Sequence, residues 1–143
     1  MKKKISIFLL ASALILALSS CKANKIKIED YEWQMRYVMH VVDEQLVMDA
    51  IHEADSAHPD AKIISMTLTA NGGKLTITDK TNDVTYEGTY LVKQRTPDGI
   101  DYQITIDGKS GYATVAMTTY ADGSQEPTLP INLGEYSMCF YAD

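Results

Sequence analysis

The sequence has little positive charge. Its 143 residues include 13 Lys and Arg against 19 Asp and Glu, which gives a formal net charge of −6. Proteins that bind nucleic acids need a cationic surface to meet the phosphates. We therefore expect no nucleic-acid partner.

Motifs for catalysis and for cofactor binding are missing as well. The chain contains no Gly-x-Ser-x-Gly nucleophile elbow, no Gly-rich phosphate loop and no dinucleotide-binding fingerprint. Ser110-Gly111 has no histidine close to it in sequence. The sequence predicts a protein that is not an enzyme, with no catalytic residues and no cofactor.

Cysteine is scarce, since Cys21 and Cys139 are the two in the chain. Cys139 alternates with Met138 and Phe140, so it should lie on the opposite face of a strand from these apolar side chains. A reactive thiol needs a cationic neighbour, and the sequence places none beside it. We interpret Cys139 as a small residue in a half-covered sheet position.

The N-terminus combines a basic start, an apolar run and a cluster of small residues. Residues 1–4 are basic, residues 5–18 are apolar, and Leu18-Ser19-Ser20-Cys21 ends the run. The run is shorter than the roughly 18–20 residues that span a bilayer. The segment resembles a bacterial lipoprotein signal peptide. An ordinary secretory signal and a short N-terminal anchor helix are the alternatives.

This resemblance implies a processed and lipid-anchored protein. Residues 1–20 would be the signal peptide, Cys21 would carry the diacylglycerol and acyl chains, residues 21–30 would form a tether, and residues 31–143 would form one domain. Two acyl chains suffice for stable anchoring. The protein would be held on the extracytoplasmic side of a membrane in the bacterial cell envelope. Cys139 would then have no disulfide partner.

Processing would also change the charge. Residues 1–20 contain three lysines and no acidic residue, so their removal takes the formal charge from −6 to −9. Lys22, Lys25 and Lys27 remain beside the lipid, where each contributes about 1 kcal/mol of attraction to an anionic bilayer.

Two-residue alternation dominates the rest of the sequence. Apolar and polar residues alternate in segments that end at Asn, Asp, Gly and Pro, which is the pattern of antiparallel strands joined by tight turns. Gly88, between Tyr86 and Tyr90, predicts a bulge or bend. About eight strands are predicted, around residues 32–40, 63–69, 75–77, 84–92, 100–106, 112–120, 129–133 and 136–141.

Residues 43–55 break this pattern. Their apolar residues fall on one arc of a helix, and Asp43 is suited to be its N-cap. The sequence therefore predicts one amphipathic helix between the first and second strands. Leu46, Ala50 and Ile51 would dock it on the sheet.

These elements predict an all-β fold with one helix: a small antiparallel β-barrel or strongly coiled sheet. A first strand with one tryptophan, Trp33, and a later Tyr86-Glu87-Gly88-Thr89-Tyr90 segment is similar to the small lipocalin-like barrels of bacterial lipoproteins. This resemblance implies an interior that could bind a ligand. The predicted core comprises Trp33, Met35, Tyr37, Ile64, Met66, Leu68, Leu75, Ile77, Ile104, Val115, Met138 and Phe140.

Aromatic residues with polar tips are the candidate ligand contacts. Tyr86, Tyr90 and Tyr102, together with Trp33, would line a modest amphipathic pocket if they face inward. The alternative is that side chains fill the barrel, as is usual for small barrels.

The histidines and the acidic turns do not predict a metal site. His52 and His58 lack the His-Glu-x-x-His spacing of a zinc-binding helix, and His40 lies on a strand. Residues 79–83 and 122–126 are fragments of the calcium-loop pattern without its full ligand set. We interpret both runs as hairpin turns.

Three functions are compatible with these features. The first is a non-catalytic binding module for a small amphipathic molecule or an envelope protein. The second is an inhibitor of a basic extracellular hydrolase of the lysozyme type, to which an acidic protein would be steered. The third is a structural subunit of an envelope complex.

The cysteine at position 21 gives the first test. We expect Cys21→Ala to leave an unprocessed or soluble protein, because the acyl chains that anchor it have no attachment site. Partitioning between detergent and aqueous phases measures this, with Cys139→Ala as the control that should still enter the detergent. Detergent partitioning of Cys21→Ala equal to that of the parent would contradict the lipid anchor.

Overall fold

The computed structural model describes residues 26–49 and 64–143. This part of the chain contains a short 3-10 helix, Ile28–Asp30, and nine strands. No helix among these residues has both the length and the apolar character needed to cross a membrane. The strands are β1 (Trp33–His40), β2 (Leu46–Asp49), β3 (Met66–Asn71), β4 (Lys74–Asp79), β5 (Val84–Arg95), β6 (Gly99–Ile106), β7 (Lys109–Thr119), β8 (Gln125–Leu133) and β9 (Tyr136–Ala142).

Eight of the strands form a closed antiparallel barrel. Strands β3 to β9 follow one another as a meander, and β1 closes the sheet by pairing with β3 on one edge and β9 on the other. Trp33 lies opposite Leu68 of β3, and Met35 lies opposite Phe140 of β9. The predicted antiparallel barrel is confirmed, and closure pairs edges that would otherwise be open.

The ninth strand, β2, replaces the start of the predicted helix. Leu46 and Asp49 lie opposite Met39 and Tyr37 of β1 in an antiparallel pair, and residues 43–45 belong to the connection between the two strands, so the helix prediction is wrong for residues 43–49. Asp43 does not cap a helix; its carboxylate accepts a hydrogen bond from the Gln45 amide in this connection. Residues 50–55 of that helix, with Ala50 and Ile51, lie outside the described residues. Leu46 does not dock on the core, since its exposed fraction is 59%.

The reason for this difference is an unpaired length of β1. Strand β3 pairs only with Trp33 and Gln34, so the second half of β1 has backbone groups free on that edge. A turn at positive φ (55°) on Glu44 reverses the chain, and β2 supplies the missing hydrogen bonds. The free-energy cost of leaving these backbone groups without hydrogen bonds is larger than the small differences in helix propensity between residues.

A β-bulge in β1 changes the predicted inward face. The register against β9 shifts between Met35 and Tyr37, so Arg36 is an extra residue. Alternation restarts after it, and Val38 is buried in the core. Tyr37, which was predicted in the core, lies half-buried opposite Cys139 instead.

The bulged residue is held on the outer wall. The Arg36 guanidinium donates to both carboxylate oxygens of Glu126 at 3.1 and 2.5 Å, and it lies 4.1 Å from the centre of the Tyr141 ring. The hydroxyl of Tyr141 donates to that of Tyr37 at 3.4 Å, and this hydrogen bond, together with burial, raises the pKa of Tyr37. The seam between β8, β9 and β1 is therefore cross-linked outside the barrel.

Inward-pointing side chains fill most of the interior. Of the predicted core, Ile64, Met66 and Met138 are partly buried and pack against the rest. The buried apolar side chains of the barrel are Ile28, Trp33, Met35, Val38, Leu68, Leu75, Ile77, Tyr90, Ile100, Tyr102, Ile104, Ile106, Ala113, Val115, Leu129, Ile131 and Phe140.

Gly88 lets two strands approach closely, but the bulge predicted there is not found: the pairing is regular at Gly88, and the register of β5 against β6 shifts between Val92 and Gln94 instead. A Cβ at Gly88 would lie 2.4 Å from the backbone oxygen of Thr105 on β6 and 3.0 Å from the Leu75 side chain. Because the obstacle is backbone, the strand itself would have to move.

We expect Gly88→Ala to lower the free energy of unfolding by about 1–3 kcal/mol, the usual cost of overpacking. Urea unfolding measures this. Gly108→Asn is the control, because nothing lies within 4 Å of a Cβ there and asparagine tolerates its φ of 74°. Equal stability of Gly88→Ala and the parent would show that β5 and β6 are not packed this tightly.

Candidate functional site at the barrel mouth

One end of the barrel holds an apolar pocket. Its volume is about 210 Å³. Six strands supply its apolar and aromatic walls, and the turn between β6 and β7 forms part of its rim. The lining residues are Met66, Ile77, Tyr86, Ile106, Asp107, Lys109, Leu133 and Met138. We call this end the mouth.

Strand pairing explains why these side chains meet. Tyr86 of β5 lies opposite Ile77 of β4, and Ile106 of β6 lies opposite Gly88 of β5. On the other side, Met138 lies opposite both Val38 and Ile131. Directly opposed residues share a face of the sheet. The pocket is thus the unfilled top of the same interior that holds the core.

Polar groups at the mouth are few and lie on its rim. Asp107 adopts a positive φ of 49° in the tight turn before Lys109, and Tyr86 brings a hydroxyl from β5. An apolar cavity with a few polar groups is the usual form of a small-molecule site. This arrangement can hold a molecule with an apolar body and a polar end.

The opposite end of the barrel is closed by the 3-10 helix. Ile28 is fully buried among the core side chains. Its carbonyl accepts a hydrogen bond from the Trp33 indole nitrogen at 2.7 Å, and its amide donates to the Tyr102 hydroxyl at 3.2 Å. We call this the closed end.

The helix is short but well capped. The Lys27 amide donates to the Asp30 carboxylate at 2.8 Å, and the Asp30 amide donates to the Lys27 carbonyl at 3.1 Å. The Tyr90 hydroxyl donates to the Glu29 carboxylate. Ile28–Asp30 falls within the predicted tether, yet it packs as part of the barrel.

Burial raises the pKa values of the two tyrosine hydroxyls at the closed end. The apolar surroundings raise the pKa of Tyr90 to about 12, and the Glu29 carboxylate beside it adds to the rise. Burial also raises the pKa of Tyr102, although its hydrogen bond to the Ile28 amide opposes this. Both hydroxyls are therefore neutral hydrogen-bonding groups at physiological pH.

The structure separates the four predicted ligand contacts. Tyr86 lines the mouth. The rings of Tyr90 and Tyr102 meet edge to face with centroids 5.7 Å apart at the closed end, where Trp33 is also buried. Their polar tips bind the 3-10 helix rather than facing a cavity.

Most of the mouth residues are not recognisable as a site from the sequence. Met66, Ile77 and Met138 were predicted as core, while Ile106, Leu133 and Lys109 received no role. All except Lys109 lie on the apolar face of a strand, next to a turn. Their positions beside turns at the same end of the meander are the signal that could have identified them.

Cys139 lies opposite Tyr37 and Pro130, on the other face from Met138 and Phe140 as predicted. It is more deeply covered than predicted, with an exposed fraction of 6%. It is a free cysteine, and its sulfur lies 3.9 Å from the Ser137 hydroxyl.

The acidic turns use their carboxylates in local hydrogen bonds. Asp79 accepts from the Thr81 and Asn82 amides and from the Asn82 side chain, which lowers the pKa of its carboxyl. Asp122 accepts from the Ser124 amide and hydroxyl.

His40 pairs with Asp43 at 2.9 Å, while His52 and His58 lie outside the described residues. Within residues 26–49 and 64–143, no group of three His, Cys, Asp or Glu side chains is arranged to hold a metal ion.

A second depression lies on the outer wall over β4, β5 and β6. Its volume is about 400 Å³, larger than that of the mouth pocket. Lys74, Glu87 and Thr105 contribute to it, with Gly88 and Gly108. It is wide open to solvent and is lined by charged residues, threonines and glycines with no large apolar side chain, so it would leave an apolar ligand in water, and we regard the mouth as the better candidate site.

Comparison with known proteins identifies no relative: no family model, no curated protein and no solved structure matches the chain.

The raised pKa of Tyr90 gives a test of the closed end. Between pH 10 and 12 the unfolded chain loses this proton while the folded protein keeps it, so stability should fall across this range. We expect Tyr90→Phe to cost about 1 kcal/mol at pH 7 through the lost hydrogen bond. Above pH 10, the free energy of unfolding of this variant should fall less than that of the parent.

Urea unfolding at pH 7, 10 and 12 measures both effects. Tyr112→Phe is the control for removing a tyrosine hydroxyl, because Tyr112 is exposed. The same fall in Tyr90→Phe as in the parent would contradict the buried role of this hydroxyl.

Proposed function

We propose that this protein is a lipid-anchored lipoprotein of the bacterial cell envelope that binds a small amphipathic molecule in the barrel mouth without catalysis. The observation that carries the binding proposal is the apolar pocket at one end of a barrel whose other end is closed. The sequence around Cys21 supports the anchor.

The pocket volume limits the ligand. About 210 Å³ is more than the roughly 150 Å³ cavity that holds benzene in an engineered protein core. It is less than the roughly 300–1,000 Å³ of sites for drug-sized molecules. The ligand is therefore a short alkyl chain or a single ring, or the end of a longer molecule that projects from the mouth.

The polar groups of the rim suit the other end of such a molecule. Asp107 and Lys109 flank Gly108 at the connection between β6 and β7, and Tyr86 adds a hydroxyl from β5, the neighbour of β6 in the sheet. A ligand with a polar head could exchange hydrogen bonds with these groups while its apolar part displaces water from Ile77 and Ile106. Lipocalin-like barrels, which the sequence resembles, are the structural class to which we assign it.

A second candidate is the inhibitor of a basic hydrolase, and one exposed feature favours it. The turn between β1 and β2 presents Val42, which is 81% exposed, directly before Asp43 and Glu44. An apolar tip flanked by acids suits a cationic protein surface. Lysozyme activity that is unchanged by excess protein would contradict this candidate. The same exposed tip would be the contact surface if the protein is a structural subunit of an envelope complex.

Small molecules that purify with the protein give the direct test. We expect solvent extracts of the purified lipoprotein to contain an alkyl or aromatic amphiphile. Leu133→Trp should reduce its amount by about tenfold or more, since filling the mouth removes more than about 1.4 kcal/mol of binding. Mass spectrometry of the extracts measures this.

Leu91→Trp is the matched control, because Leu91 lies on the outer wall with 69% of its surface exposed. Its extract should equal that of the parent. An amphiphile found in equal amounts in all three extracts, or in none, would contradict binding at the mouth.

A further inference from the structure

We infer that the barrel stands with its closed end toward the anchoring membrane and its mouth away from it, so that the ligand enters from the aqueous side and not from the anchoring bilayer. This inference rests on the lipid anchor of the proposed function. It follows from which end of the barrel the N-terminal chain leaves.

The chain enters the barrel at the closed end. Ile26 packs against the core, and Ile28 is buried beneath Trp33 and Tyr102. The turns at this end are those between β3 and β4, β5 and β6, and β7 and β8. The turns at the mouth are those between β4 and β5, β6 and β7, and β8 and β9.

The length of chain before Ile26 limits how far this end can be from the lipid. Cys21 precedes Ile26 by five residues. A fully extended chain covers at most about 3.6 Å per residue, so the lipid lies within about 18 Å of Ile26.

The barrel is too large for the opposite orientation. The eight residues of β1 extend for about 25 Å, or about 20 Å along the axis of a barrel with the usual strand tilt. Eight strands spaced by about 4.8 Å also give a wall about 8 Å from the axis. With the mouth on the membrane, the tether would have to cross the closed end and descend the wall, a path of about 25 Å or more.

Exposed apolar residues at the mouth are the feature that would favour the opposite orientation. Val41, Val42 and Tyr136 are exposed at this end and could enter a bilayer. However, Asp43, Glu44 and Glu135 stand next to them in the chain, and carboxylates are repelled by anionic lipid. At the closed end, Glu29 and Asp30 are accompanied by Lys27, and Lys22 and Lys25 precede it in the sequence.

Fluorescence quenching on vesicles tests this orientation. The lipid-anchored protein carries Cys139→Ser and one new cysteine with a fluorophore: at the closed end Asn71→Cys or Ser124→Cys, at the mouth Glu135→Cys or Lys80→Cys, all exposed positions. The vesicles contain lipids with a nitroxide on the headgroup. We expect quenching at the closed end to exceed that at the mouth by about twofold or more, because the tether keeps this end within reach of the headgroups.

A variant with a longer tether tests whether the short tether causes the difference in quenching between the two ends. About 20 Gly and Ser residues inserted before Ile26 give a typical reach of about 25 Å and should reduce the difference between the two ends. Equal quenching at both ends in the parent, or stronger quenching at the mouth, would overturn the orientation while the anchor stands. Labelled protein that fails to float with the vesicles would overturn the anchor, and the orientation with it.

Discussion

The structure depends on strand β1, because it pairs along both of its edges. Its first residues hydrogen-bond to β3 on one side, and its whole length pairs with β9 on the other. Without it the seven-strand meander from β3 to β9 would be an open sheet with two exposed edges. The same strand carries Trp33 and Met35 into the core, and its bulge at Arg36 cross-links the outer wall to Glu126.

Closure by β1 also makes the two ends of the barrel different. The residues just before it form the 3-10 helix at the closed end, where the side chains of Trp33 and Tyr102 hydrogen-bond to its backbone. The residues just after it turn away to form β2 outside the barrel. One end is therefore sealed by the chain itself and the other is left open over Ile77 and Ile106. This asymmetry is what leaves an apolar pocket at one end of a small, mostly filled barrel.

Alternation in the sequence predicted the hairpins and most of the core, because residues that point inward must be apolar in every second position. It failed where pairing between distant segments decides the local structure. Leu46 belongs to a strand because half of β1 lacked a partner, and Val38 replaces Tyr37 in the core because of one extra residue at Arg36. Ile28 lies between the charged residues Lys27 and Glu29, a pattern that predicts an exposed tether, but contacts with residues distant in sequence bury it. Tyr86 and Tyr90 alternate along β5, and Tyr102 alternates with apolar residues along β6. This periodicity does not tell which of the three tyrosines lies at the filled end of the barrel.

The central claim is that the interior is sealed at Ile28 and open at the mouth. Methyl NMR of the protein titrated with hexanoate, a short alkyl amphiphile, tests it most directly. The account predicts intermolecular contacts from the alkyl chain to the methyl groups of Ile77, Ile106 and Leu133, and unchanged signals from Ile28 and Ile100. Contacts to Ile28 at the closed end, or shifts confined to exposed residues such as Val42 and Leu91, would contradict it.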